Sequence, residues 1–159
     1  MARLAAPAQR HARFVEDKQF AVLDRVLRSS GTLAYARPTH LDKITLEPAL
    51  ERLTVDGDRL VIDTGEAPRV IELDSQPEIR ALVDTIRGAL SGDLTTLQRN
   101  YRIEASGTLE SWRLVLHPTS PVVAQLVRTV VITGDRDVRS IESLQANGDT
   151  DRLTITPEP

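Results

Sequence analysis

The chain contains no cysteine. Disulfides, thiolate catalysis and cysteine-based metal sites are thereby excluded, and the lack fits a cytosolic and an exported protein equally well. Aromatic residues make up only 3% of the 159 residues, so leucine, valine and isoleucine must fill the interior. No apolar run approaches the roughly 18 residues that a membrane-spanning helix needs. An excess of one charge sign is also missing. The 20 basic and 23 acidic side chains give a formal net charge of −3 and are interspersed along the chain. No basic stripe for nucleic acid is visible, and none is expected as a partner.

The N-terminal "MARLAAPAQRHAR" is alanine-rich and basic, but it lacks the apolar core of an intact signal peptide. A chain beginning after a removed signal would read the same. Residues 1–12 are expected to form a flexible segment, and 13–159 a single domain. That length can bury a core without disulfides or metals.

What the sequence does contain is alternation. Residues 13–26 read as extended, with Phe14, Phe20, Val22 and Val26 as apolar points; a helix over 19–27 is the competing reading. In "SSGTLAYARP" (29–38), Leu33 and Tyr35 share a face, and the cation Arg37 ends that same face before Pro38. "LDKITLEP" (41–48) is a short strand closed by another proline. "ERLTVDGDRLVID" (51–63) is a hairpin: Leu53 and Val55 alternate going out, Asp-Gly turns the chain, and Leu60 and Ile62 alternate on the return. "RVIEL" (69–73) adds a strand.

After Pro77 the period changes. Ile79, Leu82, Val83, Ile86 and Leu90 recur at spacings of three and four, which predicts an amphipathic helix over 77–91. Glu78, Arg80, Asp84 and Arg87 are placed on its other face. Ser75 lies near the N-cap position and Gly92 ends the helix. Burying those five apolar side chains would contribute about 10 kcal/mol before entropy. Strands resume with 100–106, a turn at Gly107, and 108–118, where Trp112, Leu114 and Leu116 share a parity. A short helical or irregular piece follows Pro121. Three more strands cover 126–133, 137–146 and 151–156. Nine to eleven short strands around one helix predict a mainly β (α+β) fold, an antiparallel up-and-down sheet that is strongly curved or nearly closed.

Catalytic signatures are sparse. His11, His40 and His117 have no metal-ligand spacing and read as surface or strand-end residues. The Ser-Gly pairs at 30–31, 91–92 and 106–107 are assigned to turns and caps, and none forms a G-x-S-x-G elbow. There is no phosphate loop or dinucleotide fingerprint, and no cofactor is expected. "DGD" (56–58) and "NGDTD" (147–151) read as hairpin turns rather than calcium loops. Glu16 and Asp17 could pair with another carboxylate in space, which the sequence does not show. The inward parity of the strands either fills a solid core or lines an apolar pocket under the helix. In the second case the ligand is an acyl chain. A small cyclase or hydratase using Glu16 or Asp24 on the curved sheet is the alternative, and a scaffold with a solid core is a third.

The order of features is more specific than any one of them. "RFVEDKQF", "SSGTLAYARP", "VDGDRLVID", the helix before "SGD" (91–93), "ESWRLVLHP" and the final hairpins together resemble the outer-membrane lipoprotein carrier (LolA) family, in its shorter LolA-like branch, over residues 13–156. The resemblance implies an incomplete antiparallel barrel with a helical lid. It implies a non-catalytic periplasmic carrier whose apolar cavity shuttles the acyl chains of a lipid or lipoprotein between membranes. An inner-membrane transporter and an outer-membrane acceptor are implied partners, and a monomer is the default for a shuttle. The cavity residues would be Leu33, Tyr35, Leu41, Leu53, Val55, Leu60, Ile62, Ile103, Trp112, Leu114 and Leu116. The lid would be Ile79, Leu82, Val83, Ile86 and Leu90. Arg37 matches the family's arginine that latches the lid through backbone carbonyls, and Leu41 matches its apolar residue just beyond. The chain is shorter and poorer in aromatics than the lipoprotein carriers proper. It looks closer to LolA-like proteins of lipid or aryl-polyene biosynthesis, whose cargo would be free lipids or acylated pigments.

Overall fold

Alternation along the chain becomes eleven strands in a computed structural model that describes residues 9–36 and 40–158. The strands are β1 (Gln9–Phe20), β2 (Arg25–Ala36), β3 (His40–Glu47), β4 (Glu51–Asp56), β5 (Arg59–Asp63), β6 (Arg69–Glu72), β7 (Tyr101–Thr108), β8 (Ser111–Pro118), β9 (Val127–Gly134), β10 (Val138–Gln145) and β11 (Thr150–Pro157). They form one antiparallel sheet in the order β6-β5-β4-β3-β2-β1-β11-β10-β9-β8-β7. β1 sits at the centre, paired with β2 on one side and β11 on the other. The outermost strands β6 and β7 do not pair with each other, so the barrel stays incomplete.

Parity sets the inner face. Phe14, Leu33, Tyr35, Leu41, Val55, Leu60, Leu114, Leu116, Ile132, Ile141, Leu153 and Ile155 are all buried. Helix α1 (Pro77–Ser91) lies across this face and divides the interior in two. One cluster joins Ala81 and Ala89 to Trp112, Leu114, Leu116 and the strands around β9. The other joins Val83, with Ile79 and Ile86 packed against it, to Tyr35, Leu41, Val55, Leu60 and Leu73. Leu90 touches both. The helix starts on a proline and ends at Gly92, whose φ of +69° and N–H bonds to the Ala89 and Gly88 carbonyls close the last turn.

Several local expectations need correction. Residues 13–26 are a hairpin rather than one strand: β1 stops at Phe20, and residues 21–24 turn. No glycine or proline marks this reversal; Asp24 supplies the left-handed backbone instead, at φ +46°. Val22 and Val26 consequently stand 91% and 55% exposed. Ser30-Gly31 is no turn. Gly31 lies inside β2 on the inward parity, and a Cβ there would meet the Ile44 carbonyl oxygen at 1.8 Å. Gly107 belongs to β7, and the reversal follows at 109–110. Ser75 does not cap α1. Its Oγ donates to the Glu72 carbonyl, and Gln76 holds the N-cap position without a side-chain bond. Two short helices accompany α1. These are α2 (Leu94–Gln98), capped by Asp93, and α3 (Pro121–Ala124).

Candidate functional site: an apolar cavity with a charged end

A cavity of about 340 Å³ lies between α1 and the inner face of the sheet. Its wall draws on nearly the whole sheet, from Leu60 on β5 through Glu16 on β1 to Val130 on β9, so the strands wrap around it. The volume is at the small end of ligand pockets, which run about 300–1,000 Å³. It suits one chain of roughly ten methylene-sized groups.

Leu33, Leu41, Leu53, Val55 and Leu60 line this cavity, and Leu82, Val83 and Ile86 of α1 face it from above. Leu53 and Ile86 are only half-buried, because the surface they leave open faces the hollow. The remaining residues lie elsewhere. Leu114 and Leu116 are sealed in the packed core with Trp112, whose indole N–H donates to the Asp135 carbonyl at 2.6 Å. Ile103 packs against the same cluster. Tyr35 and Ile62 belong to the smaller cluster beneath Ile79, and Leu90 bridges the two. Arg37 lies outside the described residues.

Two arginines of α1 tie it to the β4–β5 turn. Arg87 was expected on a solvated face, yet it is 9% exposed. It donates to the Gly57 carbonyl at 2.7 Å and to Asp84 at 2.9 Å. Arg80 bridges Asp58 at 2.9 Å and Asp74 at 2.6 Å. The helix is thus anchored along one side of the cavity by charge-assisted bonds.

One end of the cavity is charged. Glu16 is 6% exposed on β1, and Lys43 of β3 donates to its Oε1 at 2.7 Å. Lys43 reaches that carboxylate across β2 at the level of Gly31, which has no side chain to block it. The Lys43 ammonium also sits 5.1 Å from the centre of the Phe14 ring. Asp151 on β11 faces Glu16 from the other flank. Burial pushes its carboxyl up to about 7, and the neighbouring Glu16 carboxylate adds to the shift. Burial also works against an ionised Glu16, but the Lys43 ammonium and the Asp151 contact outweigh it and hold that carboxyl low. Below about pH 7 the pair therefore holds one proton, on the Asp151 side, because Lys43 favours the ionised form of Glu16. Ser143 and Gln145 line the same end, and Lys18 stands exposed at its rim.

Sequence reading did not assemble this cluster. A signal for it existed: Glu16, Lys43 and Asp151 each occupy an inward parity between apolar neighbours, Phe14, Leu41 and Leu153. Asp24, the other acid considered, is exposed in the β1–β2 turn. His40 bonds Asp42 at 2.8 Å and lies 3.7 Å from the Asp56 carboxylate, away from the cavity. Among the described residues, no group of three or more His, Asp or Glu side chains could hold a metal ion.

No curated protein matches the chain. Among solved structures, a LolA superfamily protein from Nitrosomonas europaea superposes with a TM-score of 0.51 at 10% identity, covering 97% of this chain and 87% of that one. That likeness is one of fold. A chain of the Pseudomonas aeruginosa MucA/MucB complex gives a TM-score of 0.49 at 15% identity, and this chain spans 53% of its length. The family model for outer membrane lipoprotein carrier protein LolA-like proteins matches residues 1–157. With the open antiparallel sheet and its covering helix already in place, that match over almost every residue makes the chain a member of the LolA-like family.

Proposed function

We propose that the chain is a periplasmic carrier that holds an acyl chain of a lipid or lipidated molecule in the cavity under α1 and moves it between membranes. The observation that carries this reading is the cavity itself: about 340 Å³, walled mainly by leucine and valine, beneath an amphipathic helix. Apolar side chains left facing a hollow forgo contacts that a filled core would give them, and a hydrocarbon tail would restore those contacts. Membership of the LolA-like family supports the carrier role, the periplasmic setting and exchange with a membrane transporter and acceptor. Arg37, as the lid latch, is part of the same proposal.

Native mass spectrometry of protein purified from cells tests it, with Leu53→Trp as the comparison. Leu53 lines the cavity, and an indole there fills the space an acyl chain would take. Wild-type protein is expected to carry lipid adducts and the variant to lose at least about nine-tenths of them while unfolding at a similar temperature. Wild-type protein that takes up no fatty acid, phospholipid or detergent under any condition would end the carrier reading.

A specific observation also supports the enzyme alternative. Glu16 and Asp151 place an ionised and a protonated carboxyl side by side in a pocket, an arrangement suited to acid–base work. Turnover of a cyclisable or hydratable acyl substrate that is lost in Glu16→Gln would favour it over carriage.

A further inference from the structure

The charged end of the cavity is costly to build. Taking Glu16, Lys43 and Asp151 out of water opposes folding by several kcal/mol before their mutual contacts are counted. A cavity that held only hydrocarbon would have no use for it.

We infer that this end is a head-group site for an uncharged, hydroxyl-bearing amphiphile of the monoacylglycerol class, and not for a free fatty acid or an alkylamine. The inference rests on the acyl-chain reading above. Glu16 and Lys43 cancel one another at 2.7 Å. Asp151 beside them, itself half-buried, keeps its proton up to about pH 7, so the trio is electrically neutral below that point while Glu16 stays ionised. Lys18 completes the set of charged groups facing the site, and it remains in solvent at the rim.

A neutral site has no use for a charged ligand. A carboxylate would become the third acid against Glu16 and Asp151. An ammonium would become the third cation against Lys43 and Lys18. Hydroxyl groups donate and accept without disturbing the balance. Asp151 lines the cavity, and among the described residues its buried Oδ1 receives no N–H or O–H. Ser143 and Gln145, at the same end, can supply the ligand's own acceptors. The apolar stretch from Leu53 to Ile86 then takes the tail.

Calorimetric titration of delipidated protein at pH 6 tests this with three ligands of one chain length: 1-decanoylglycerol, decanoate and decylamine. The monoglyceride is expected to bind at least about tenfold more tightly than either ion. Asp151→Asn keeps a neutral carbonyl and should preserve that preference. Asp151→Leu should reduce it to within about threefold. Either ion binding as tightly as the monoglyceride overturns the head-group assignment and leaves the carrier reading standing, as does an unchanged preference in Asp151→Leu. If none of the three binds the wild-type protein, the carrier reading falls and this assignment falls with it.

Discussion

Replacing Asp151 by asparagine is expected to stabilise the protein at alkaline pH and to do little in acid. In the unfolded chain this carboxyl ionises at its ordinary value of 3.8, whereas in the fold it holds its proton to about 7. Between those values the unfolded state releases a proton that the folded state retains, so stability falls as pH rises; below the window the group contributes nothing, and above it the penalty is constant. At about 1.4 kcal/mol per pH unit the ceiling is about 4 kcal/mol. Two effects reduce it. The carboxyl is partly exposed and therefore screened. The upward shift is also shared with the neighbouring Glu16 carboxylate, so replacing Asp151 alone recovers only part of it. A net of about 2 kcal/mol remains, which for a domain of this size is about 4–8 °C in melting temperature. Asparagine mimics the protonated form at every pH. Thermal unfolding followed by circular dichroism at pH 4 and pH 8 should show the two proteins melting together in acid, with the variant ahead at pH 8. Parallel curves across the whole range, or a variant that melts earlier at pH 8, would refute the proton-sharing pair.

Lys43→Met leaves Glu16 without its cation and should cost about 3 kcal/mol at pH 8; the loss should shrink in acid, because burial without the ammonium lets Glu16 take up a proton more readily, and denaturant titrations at pH 8 and in acid read the difference. Gly31→Ala drives a Cβ to 1.8 Å from the Ile44 carbonyl; it should part β2 from β3 and lower stability by about 3 kcal/mol or more in urea unfolding. Arg37→Leu should leave the melting temperature within about 2 °C of wild type while changing the rate of lipid uptake or release in a fluorescent-lipid exchange assay. Unchanged exchange would remove the latch role.

Most of the architecture was written locally. The Asp-Gly hairpin at 56–58 and the bounds of the helix at Pro77 and Gly92 depend on neighbours a few residues apart, and short-range chemistry sets them. The reversal at 21–24 was hidden because Asp24 takes a backbone that usually announces itself with glycine. Gly31 misled in the other direction. It is a glycine demanded by a neighbouring strand, not by a turn. The site was the least legible part. Glu16 and Asp151 sit near opposite ends of the chain and meet only because β1 pairs with β11 at the centre of the sheet. The residue just past a turn motif, Asp151, read as part of the turn, although its parity with Leu153 and Ile155 already pointed it inward. Trp112, Leu114 and Leu116 alternate as cleanly as Leu53 and Val55 do. Parity says which way a side chain points and not whether another side chain is waiting there.

The unpaired edges of β6 and β7 have a consequence for how bulk is accommodated. A closed barrel has a circumference fixed by its hydrogen bonds, and widening it means breaking a ladder. Here the wall is a strip with a gap, and what spans the gap is side-chain contact and a helix pinned by Arg80 and Arg87 at one turn. Such a strip can uncurl by sliding packed surfaces while every strand keeps its partners. Its bore is an adjustable quantity, set by a few reversible side-chain contacts rather than by a closed hydrogen-bond ladder.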